Sequence, residues 1–132
     1  MMDNTPFPMP KLAGKKILIV EDDPIMREGL GVAIEQEGGR AAFATNGREA
    51  LSHLHARSLP DLILLDMLLP LMDGWSFLSQ FKQLGEWSHV PVVIITGLAI
   101  ASREWGATLG AIDVVKKPAP MDDFVAAIRR NC

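Results

Sequence analysis

Short apolar segments alternate with segments of helical periodicity five times along this chain, and this alternation constrains the fold most. The clearest apolar segment is 61–66, in which Leu62-Ile63-Leu64-Leu65 is apolar at every position. A continuous apolar run of this length is typical of a central parallel strand that helices cover on both faces. Further strands are expected over 16–20, 40–45, 90–96 and 112–116.

Five strand–helix units predict a doubly wound α/β fold, with a five-stranded parallel sheet and five helices. The expected strand order is 2-1-3-4-5, which puts the switch point between the first and third strands.

The segments between the strands carry helix start and stop signals. Helix caps are expected where an Asp or Asn precedes a helical pattern, at Asp23, Asn46 and Asp73. Gly38-Gly39 is expected to end the first helix. The fourth helix, expected over 98–109, has no clean apolar stripe and contains Gly106. The last helix is expected over 121–130.

Composition excludes several classes of protein. A chain of 132 residues with 48% hydrophobic and 22% charged residues can bury one domain core. A net charge of −3 argues against a nucleic-acid binder, and no apolar run approaches the ~20 residues of a membrane span. The single cysteine, Cys132, excludes an internal disulfide and favours a reducing compartment, so a cytoplasmic location is expected. Residues 1–14 contain three prolines and predict a flexible arm ahead of a domain spanning 15–132.

Charged and hydroxyl side chains follow four of the predicted strands. Carboxyl ends of parallel strands meet at one edge of the sheet, which is where ligands bind in such folds. A lone Asp at a strand end is usually a turn residue or a cap, and Asp23 is assigned to a cap for that reason. The signal is the coincidence of four strand ends, which carry Glu21-Asp22, Asp66, Thr96-Gly97 and Lys116-Lys117-Pro118.

The acids at this edge predict a phosphoryl-transfer site. Asp22 and Asp66 are expected to lie close together with Glu21 beside them, and a hard divalent cation, Mg²⁺ or Mn²⁺, would offset their repulsion. Asp66 is then free to act as a carboxylate nucleophile that forms an acyl phosphate. Phosphoryl oxygens would be bound by Lys117, the Thr96 hydroxyl and the backbone amides of Gly97 and Met67.

These residues and their neighbours resemble the receiver domain of two-component response regulators. The resemblance covers about 15–130, and the motifs together are far more specific than any one alone. The matching segments are Ile17–Pro24, Pro60–Met67, Pro70–Gly74, Pro91–Thr96, Leu109–Ala111 and Lys117-Pro118.

The resemblance implies a role for each site residue and a flavodoxin-like (CheY-like) fold. Asp66 is the implied phospho-acceptor, Thr96 and Lys117 bind the phosphoryl group, and the Lys117–Pro118 peptide bond is cis. The implied metal ligands are Glu21, Asp22, Asp66 and the backbone carbonyl of Leu68.

The resemblance also implies partners. The phosphodonor would be a histidine kinase or a histidine phosphotransfer protein, and the downstream target is a protein that the sequence does not identify. The implied output face comprises the fourth helix, fifth strand and fifth helix, through which a homodimer can also form. The chain is expected to be a stand-alone receiver and not an enzyme, since it catalyses only its own phosphorylation and dephosphorylation.

Several positions depart from the family pattern. Val114 stands where many receivers carry Tyr or Phe, and Ala119 stands where an aromatic residue is common. The usual aromatic switch therefore cannot operate, which keeps open a degenerate receiver that acts as a phosphorylation-independent interaction module. Leu68 and Leu98 flank the acceptor, and we expect them to shield an acyl phosphate from water. Trp105 lies on the expected output face and is a candidate partner anchor.

Two other classes of protein were weighed. A phosphatase of the haloacid dehalogenase type also uses an Asp nucleophile with Mg²⁺, but it requires Asp-x-Asp, and Leu68 stands at the second acidic position. A flavodoxin-like cofactor binder requires a Gly/Ser/Thr-rich phosphate loop after the first strand. Here that loop is acidic and would repel a flavin phosphate.

Overall fold

A computed structural model describes residues 11–56 and 59–132. The strands are β1 (Lys16–Val20), β2 (Arg40–Ala44), β3 (Leu62–Asp66), β4 (Val92–Thr96) and β5 (Asp113–Lys116). The helices are α1 (Pro24–Gln36), α2 (Gly47–Ala56), α3 (Gly74–Phe81), α4 (Arg103–Thr108) and α5 (Met121–Asn131). A short 3₁₀ helix at Gly85–His89, which the sequence did not predict, leads into β4.

The five strands form one parallel sheet in the order β2-β1-β3-β4-β5, which confirms the predicted fold class and strand order. In the register, Val20 pairs with Leu65 across β1 and β3, and Thr96 pairs with Lys116 across β4 and β5. These pairings bring four strand ends to one edge of the sheet, because parallel strands all finish on the same side.

Helices cover both faces of the sheet and produce two apolar cores. Side chains alternate between faces along each strand, so Ile17 and Ile19 pack with α1 and α5, whereas Leu18 and Val20 pack with α2 and α3. The predicted central strand β3 is buried at every position. Its continuous apolar run therefore reflects burial on both faces, as the sequence indicated.

The predicted helix caps at Asp23, Asn46 and Asp73 are confirmed. The Asp23 carboxylate accepts the N–H of Ile25 at 3.2 Å, and the Asp73 carboxylate accepts the N–H of Ser76 at 2.8 Å. The Asn46 side chain accepts the N–H of Glu49 at 2.8 Å. Each bond satisfies an N–H that the first helical turn leaves without a partner.

The predicted fourth helix was too long. It was expected from residue 98, but α4 begins at Arg103, after the Ser102 hydroxyl accepts the N–H of Trp105 at 3.0 Å. The N–H of Leu98 instead donates to the Thr96 hydroxyl oxygen at 3.2 Å, which closes a local turn. Side-chain capping of this kind competes with helix formation, so residues 97–102 form a loop.

The amino-terminal boundary also differs from the prediction. Residues 1–10 of the predicted arm lie outside the described residues. Leu12 is buried in the core beside α1, and its N–H donates to the Glu37 carbonyl at 3.0 Å. Leu12, within the predicted arm, thus packs with the domain. Among the residues that the structure describes, no helix is both long and apolar enough to cross a bilayer.

Candidate phosphoryl-transfer site

The structure brings three of the predicted acids together at the carboxyl edge of the sheet. Glu21 and Asp22 follow β1 directly, and Asp66 is the last residue of β3. One carboxylate oxygen from each residue lies within 4.8 Å of the others. Glu21 is 1% exposed and Asp66 6% exposed, whereas Asp22 is open to solvent. The acids therefore form a recessed cluster with one exposed member.

Lys117 supplies the positive charge of this cluster. Its Nζ donates to Glu21 Oε1 at 2.6 Å and to Asp66 Oδ2 at 3.2 Å. It comes from the end of β5, two strands away from β3 in the sheet. The sequence predicted this lysine as a carboxylate or phosphoryl partner, and the structure places it against both buried acids.

Charge in the cluster is unbalanced, since three carboxylates lie together and one ammonium group pairs with two of them, Glu21 and Asp66. Burial raises the pKa of Glu21 above its ordinary value; the hydrogen bond from Lys117 lowers it in part, the nearby charge of Asp66 raises it further, and the pKa stays raised. Burial works against the charge of Lys117, but its bonds and attraction to the two acids outweigh this, so the Lys117 pKa is raised. The site therefore has a net excess of negative charge.

Thr96 is fully buried at the end of β4, between the acid cluster and the following loop. Its hydroxyl oxygen accepts the N–H of Leu98, and its carbonyl accepts the N–H of Lys117 at 2.8 Å. The bond from Lys117 joins the ends of β4 and β5. The Lys117–Pro118 peptide bond is cis, as the resemblance implied.

The backbone groups predicted for the site lie in the loops that follow β3 and β4. Leu68 donates its N–H to Asp66 Oδ1 at 3.3 Å, so this residue folds back over the end of β3. Met67 is buried and Gly97 follows Thr96 directly. Of the two leucines expected to shield the site, Leu98 packs partly against the core, while the Leu68 side chain is exposed.

One residue at this site was not predicted from the sequence. Arg27, on the first turn of α1, donates from Nη1 to the carbonyls of Glu21 at 3.0 Å and Asp22 at 3.2 Å. It therefore holds the backbone of the acidic loop. The available signal was an arginine one helical turn after the acids, which alone is indistinguishable from a solvated surface residue.

Val114, at the position of the usual aromatic switch, packs closely on α4. A Cβ atom built at Gly106 would lie only 2.4 Å from Val114 Cγ2, so glycine allows the helix to approach the strand. Trp105 is half-buried and meets Trp75 of α3 edge to face, with ring centroids 6.4 Å apart. Its contacts are thus partly internal, which adds a packing role to the one predicted.

The donor set fits a hard divalent cation. All three acids offer oxygen atoms within one small volume, and Asp22 leaves that volume open to solvent. Few carboxylates combined with access for water match the coordination that Mg²⁺ prefers. The excess negative charge and the raised pKa of Glu21 are the features that a bound cation would relieve.

Comparisons with known proteins agree with this geometry. A family model described as the response regulator receiver domain matches residues 17–129. The chain is 34% identical over 116 residues to the probable transcriptional regulator ycf27 of Guillardia theta. The matched segment covers 87% of this chain and 44% of that protein. It thus spans less than half the length of that regulator.

Two further matches extend over nearly whole chains. An uncharacterized 14.6 kDa protein in the sodA1 3′ region of Leptolyngbya boryana is 32% identical over 125 residues, covering 94% of this chain and 95% of that protein. The receiver domain of sensor histidine kinase PA1611 from Pseudomonas aeruginosa, with a magnesium ion coordinated in the active site cleft, is 26% identical. It superposes with a TM-score of 0.78 over 90% of this chain and 98% of that chain.

Proposed function

Because the chain belongs to the response regulator receiver domain family of two-component signalling, we propose that it is a phosphorylation switch whose acceptor is Asp66. The observation that carries the proposal is the placement of the recessed Asp66 carboxylate, with the Lys117 ammonium at 3.2 Å and two further acids within 4.8 Å. A nucleophile, a cation that binds phosphoryl oxygens and a set of metal ligands meet there.

The proposed reaction needs little covalent chemistry from the protein. An Asp66 carboxylate oxygen attacks the phosphorus of a phosphohistidine, the P–N bond breaks, and the released imidazole takes up a proton. Hydrolysis of the resulting acyl phosphate returns the carboxylate and inorganic phosphate. The chain would thus catalyse only its own phosphorylation and dephosphorylation.

Each residue of the site has a role in this step. Glu21, Asp22, Asp66 and the Leu68 carbonyl would hold Mg²⁺ or Mn²⁺, which when bound offsets the charge of the incoming phosphoryl group. Lys117 binds one phosphoryl oxygen as a point charge. Thr96 exchanges its bond to the Leu98 N–H for one to another phosphoryl oxygen, and the Met67 and Gly97 amides serve the remainder.

Exchange of the Thr96 bond connects the site to the rest of the domain. The Leu98 N–H is the anchor of the loop between β4 and α4. Its release would let that loop and α4 shift relative to β5. Protein partners would then read the altered face of α4, β5 and α5, and this face can also support a homodimer.

The test is the intact mass of the protein after incubation with acetyl phosphate or phosphoramidate, with and without Mg²⁺. We expect a gain of one phosphoryl group that requires Mg²⁺ and is lost in Asp66→Asn. Asp61→Asn is the matched control, because Asp61 precedes the same strand at its opposite end, where it accepts the Lys16 N–H at 2.8 Å. That variant should gain the group normally.

A second candidate is a receiver-shaped interaction module that works without phosphorylation. It is favoured by Val114, which packs on the α4 backbone at Gly106 and leaves no aromatic side chain to couple Thr96 to the output face. Absence of any mass gain in the wild type, with either donor and with Mg²⁺ or Mn²⁺ present, would sink the phosphorylation proposal in favour of this one.

A further inference from the structure

Large exposed apolar side chains recur in the loops that follow the strand ends of the acid cluster. Eight such side chains are exposed in the part of the chain that the structure describes. Four of them lie in the loops after β1, β3 and β4, each within five residues of the site residue at that strand end. We name these the acceptor rim: Ile25 after Asp22, Leu68 and Leu71 after Asp66, and Ile100 after Thr96.

Leu71 is the most unusual member of the rim. It has a φ of 64° and is the one non-glycine residue with positive φ in the described part of the chain. A branched side chain in this region is strained, because its Cβ crowds the neighbouring carbonyl. Its side chain is nonetheless 84% exposed, so it gains little packing inside the domain.

The backbone around Leu71 is held on both sides. The N–H of Met72 donates to the Pro70 carbonyl at 2.6 Å, which closes a three-residue turn centred on Leu71. With positive φ at its centre, this is the rarer, strained form of such a turn. The Met72 carbonyl in turn accepts the Gly47 N–H at 2.8 Å, at the start of α2.

The same loop is tied to the acceptor strand. Gly74 donates its N–H to the Met67 carbonyl at 2.9 Å, so the ends of the loop meet directly after Asp66. Leu71 is therefore presented at the tip of a closed, rigid loop whose base is the acceptor. Strain and an exposed apolar side chain both disfavour the isolated fold, and such strain points to a function outside it.

The proposed reaction specifies what covers this loop. Because Asp66 is recessed, the phosphohistidine has to reach into the acid cluster. The surface of the donor protein around that phosphohistidine then lies on the acceptor rim. We infer that Leu71 is a preorganised anchor for the histidine-bearing phosphodonor protein, contacting an apolar surface of that protein beside its histidine. The inference rests on the proposed function and adds a residue that selects the protein donor.

The experiment compares a protein donor with a small one. The protein probe is the phosphotransfer core of a histidine kinase, autophosphorylated with ATP and chosen from a panel because it phosphorylates the wild-type chain. Leu71→Asn removes the apolar side chain and suits positive φ, since Asn tolerates the left-handed region. Leu71→Met keeps an apolar side chain, and Ile112→Asn changes an exposed apolar residue at the opposite end of the sheet.

For Leu71→Asn we expect kcat/KM for the kinase to fall about tenfold, as for a central interface anchor. Phosphorylation by acetyl phosphate should stay at the wild-type rate, and the unfolding temperature should rise by about 2 °C as strain is relieved. Leu71→Met and Ile112→Asn should transfer like the wild type. The distinguishing result is that Leu71→Asn has a higher unfolding temperature than the wild type but receives phosphate more slowly from the kinase.

Three results would overturn the inference. The first is that Leu71→Asn receives phosphate from the kinase at the wild-type rate. The second is that Leu71→Asn loses the same factor in rate with the kinase and with acetyl phosphate, which would show that Leu71 supports the site itself. Loss of self-association in size-exclusion chromatography, with kinase transfer intact, would assign Leu71 to a second copy of this chain. Failure of the wild type to gain a phosphoryl group on Asp66 from any donor defeats the proposed function instead.

Discussion

Two buried carboxylates in this domain lie in opposite electrostatic surroundings. Glu21 is 1% exposed, shares the Lys117 ammonium with Asp66 and lies beside Asp22, and its pKa is raised mainly by burial. Asp113, at the start of β5, is 3% exposed and accepts four hydrogen bonds. Its donors are the side chains of Arg103 at 3.0 Å, Arg130 at 2.8 Å and Asn131 at 2.9 Å, and the backbone N–H of Val114 at 2.9 Å.

The consequence is a lowered pKa for Asp113. Burial alone would raise it, but the bonds from Arg130, Asn131 and the Val114 N–H outweigh burial. Asp113 therefore joins α4, β5 and α5 as a structural carboxylate with its bonding satisfied. At the other end of the sheet, Glu21 accepts one bond from the Lys117 ammonium at 2.6 Å and one from the Asp23 N–H at 3.2 Å, with two more acids beside it, so its surroundings stay acidic. Perturbed carboxylates of this kind are typical of functional sites. Burial alone does not distinguish the two; the balance of donors does.

The largest effect should come from removing the only ammonium of the acid cluster. Lys117→Met leaves Glu21 and Asp66 buried without a positive partner, and we expect a loss of about 3 kcal/mol in the free energy of unfolding without Mg²⁺. Added Mg²⁺ should restore part of that loss. Urea denaturation with and without Mg²⁺ measures both.

Lys116→Met is the matched control for that variant. Lys116 is the neighbouring lysine, is exposed, and donates to the Ala99 carbonyl at 3.1 Å. Its removal should change stability by no more than about 0.5 kcal/mol. Equal losses in the two variants would show that the acids do not depend on Lys117.

The same change from Asp to Asn should have unequal effects on stability at Asp113 and at Asp66, the buried aspartate of the acid cluster. Asp113→Asn places an amide N–H₂ group among four donors, and we expect a loss of about 2 kcal/mol at pH 7. Asp66→Asn removes both an attraction to Lys117 and a repulsion from Glu21, which oppose each other, so its stability should stay within about 0.5 kcal/mol of the wild type. Thermal or urea unfolding at one salt concentration compares them.

The Asp113 effect should also depend on pH with a definite sign. Because the folded-state pKa is lowered from the ordinary 3.8, the unfolded chain binds more protons at low pH. The advantage of the wild type over Asp113→Asn is therefore complete above about pH 5 and shrinks as pH falls through 3.8 and below. An advantage that grew on acidification would contradict the assignment of Asp113.

The smallest effect should come from adding a carboxylate beside the site while every residue predicted to bind the metal or the phosphoryl group is kept. Leu98 is half-buried next to Thr96. Leu98→Glu replaces an apolar cover with a group that can orient water, so the acyl phosphate should hydrolyse about threefold faster. The loss of the phosphoryl group after removal of the donor, followed by intact mass, gives the rate. Ile100→Glu, in the same loop but exposed, should match the wild type.

The sequence predicted the sheet and most of the site, because both depend on local patterns. β1 ends where predicted, and the apolar run of β3 marked the central strand. The acids, Thr96 and Lys117 were found because strand ends in a parallel sheet converge on one edge. The site residues keep their roles as predictions, and the structure adds the distances that make those roles chemically possible.

Other features depend on contacts between distant segments and were missed. Asp113 draws its donors from α4 and α5, and nothing local marks it as a bonding centre. The start of α4 was misplaced because the Thr96 hydroxyl takes the Leu98 N–H, a choice between two local bonds that propensity does not resolve. The positive φ of Leu71 was equally unpredictable, since leucine has no preference for that region.

The sequence by itself determined the order of the strands, the faces that they bury and the edge where the chemistry lies. Periodicity and strand-end chemistry express these directly, because burial and chain direction are local properties. Only the tertiary structure decided which buried carboxylate is surrounded by donors and which lies among other acids, and where the chain presents a strained leucine. Those properties are sums over neighbours that the fold brings together from far apart in the chain.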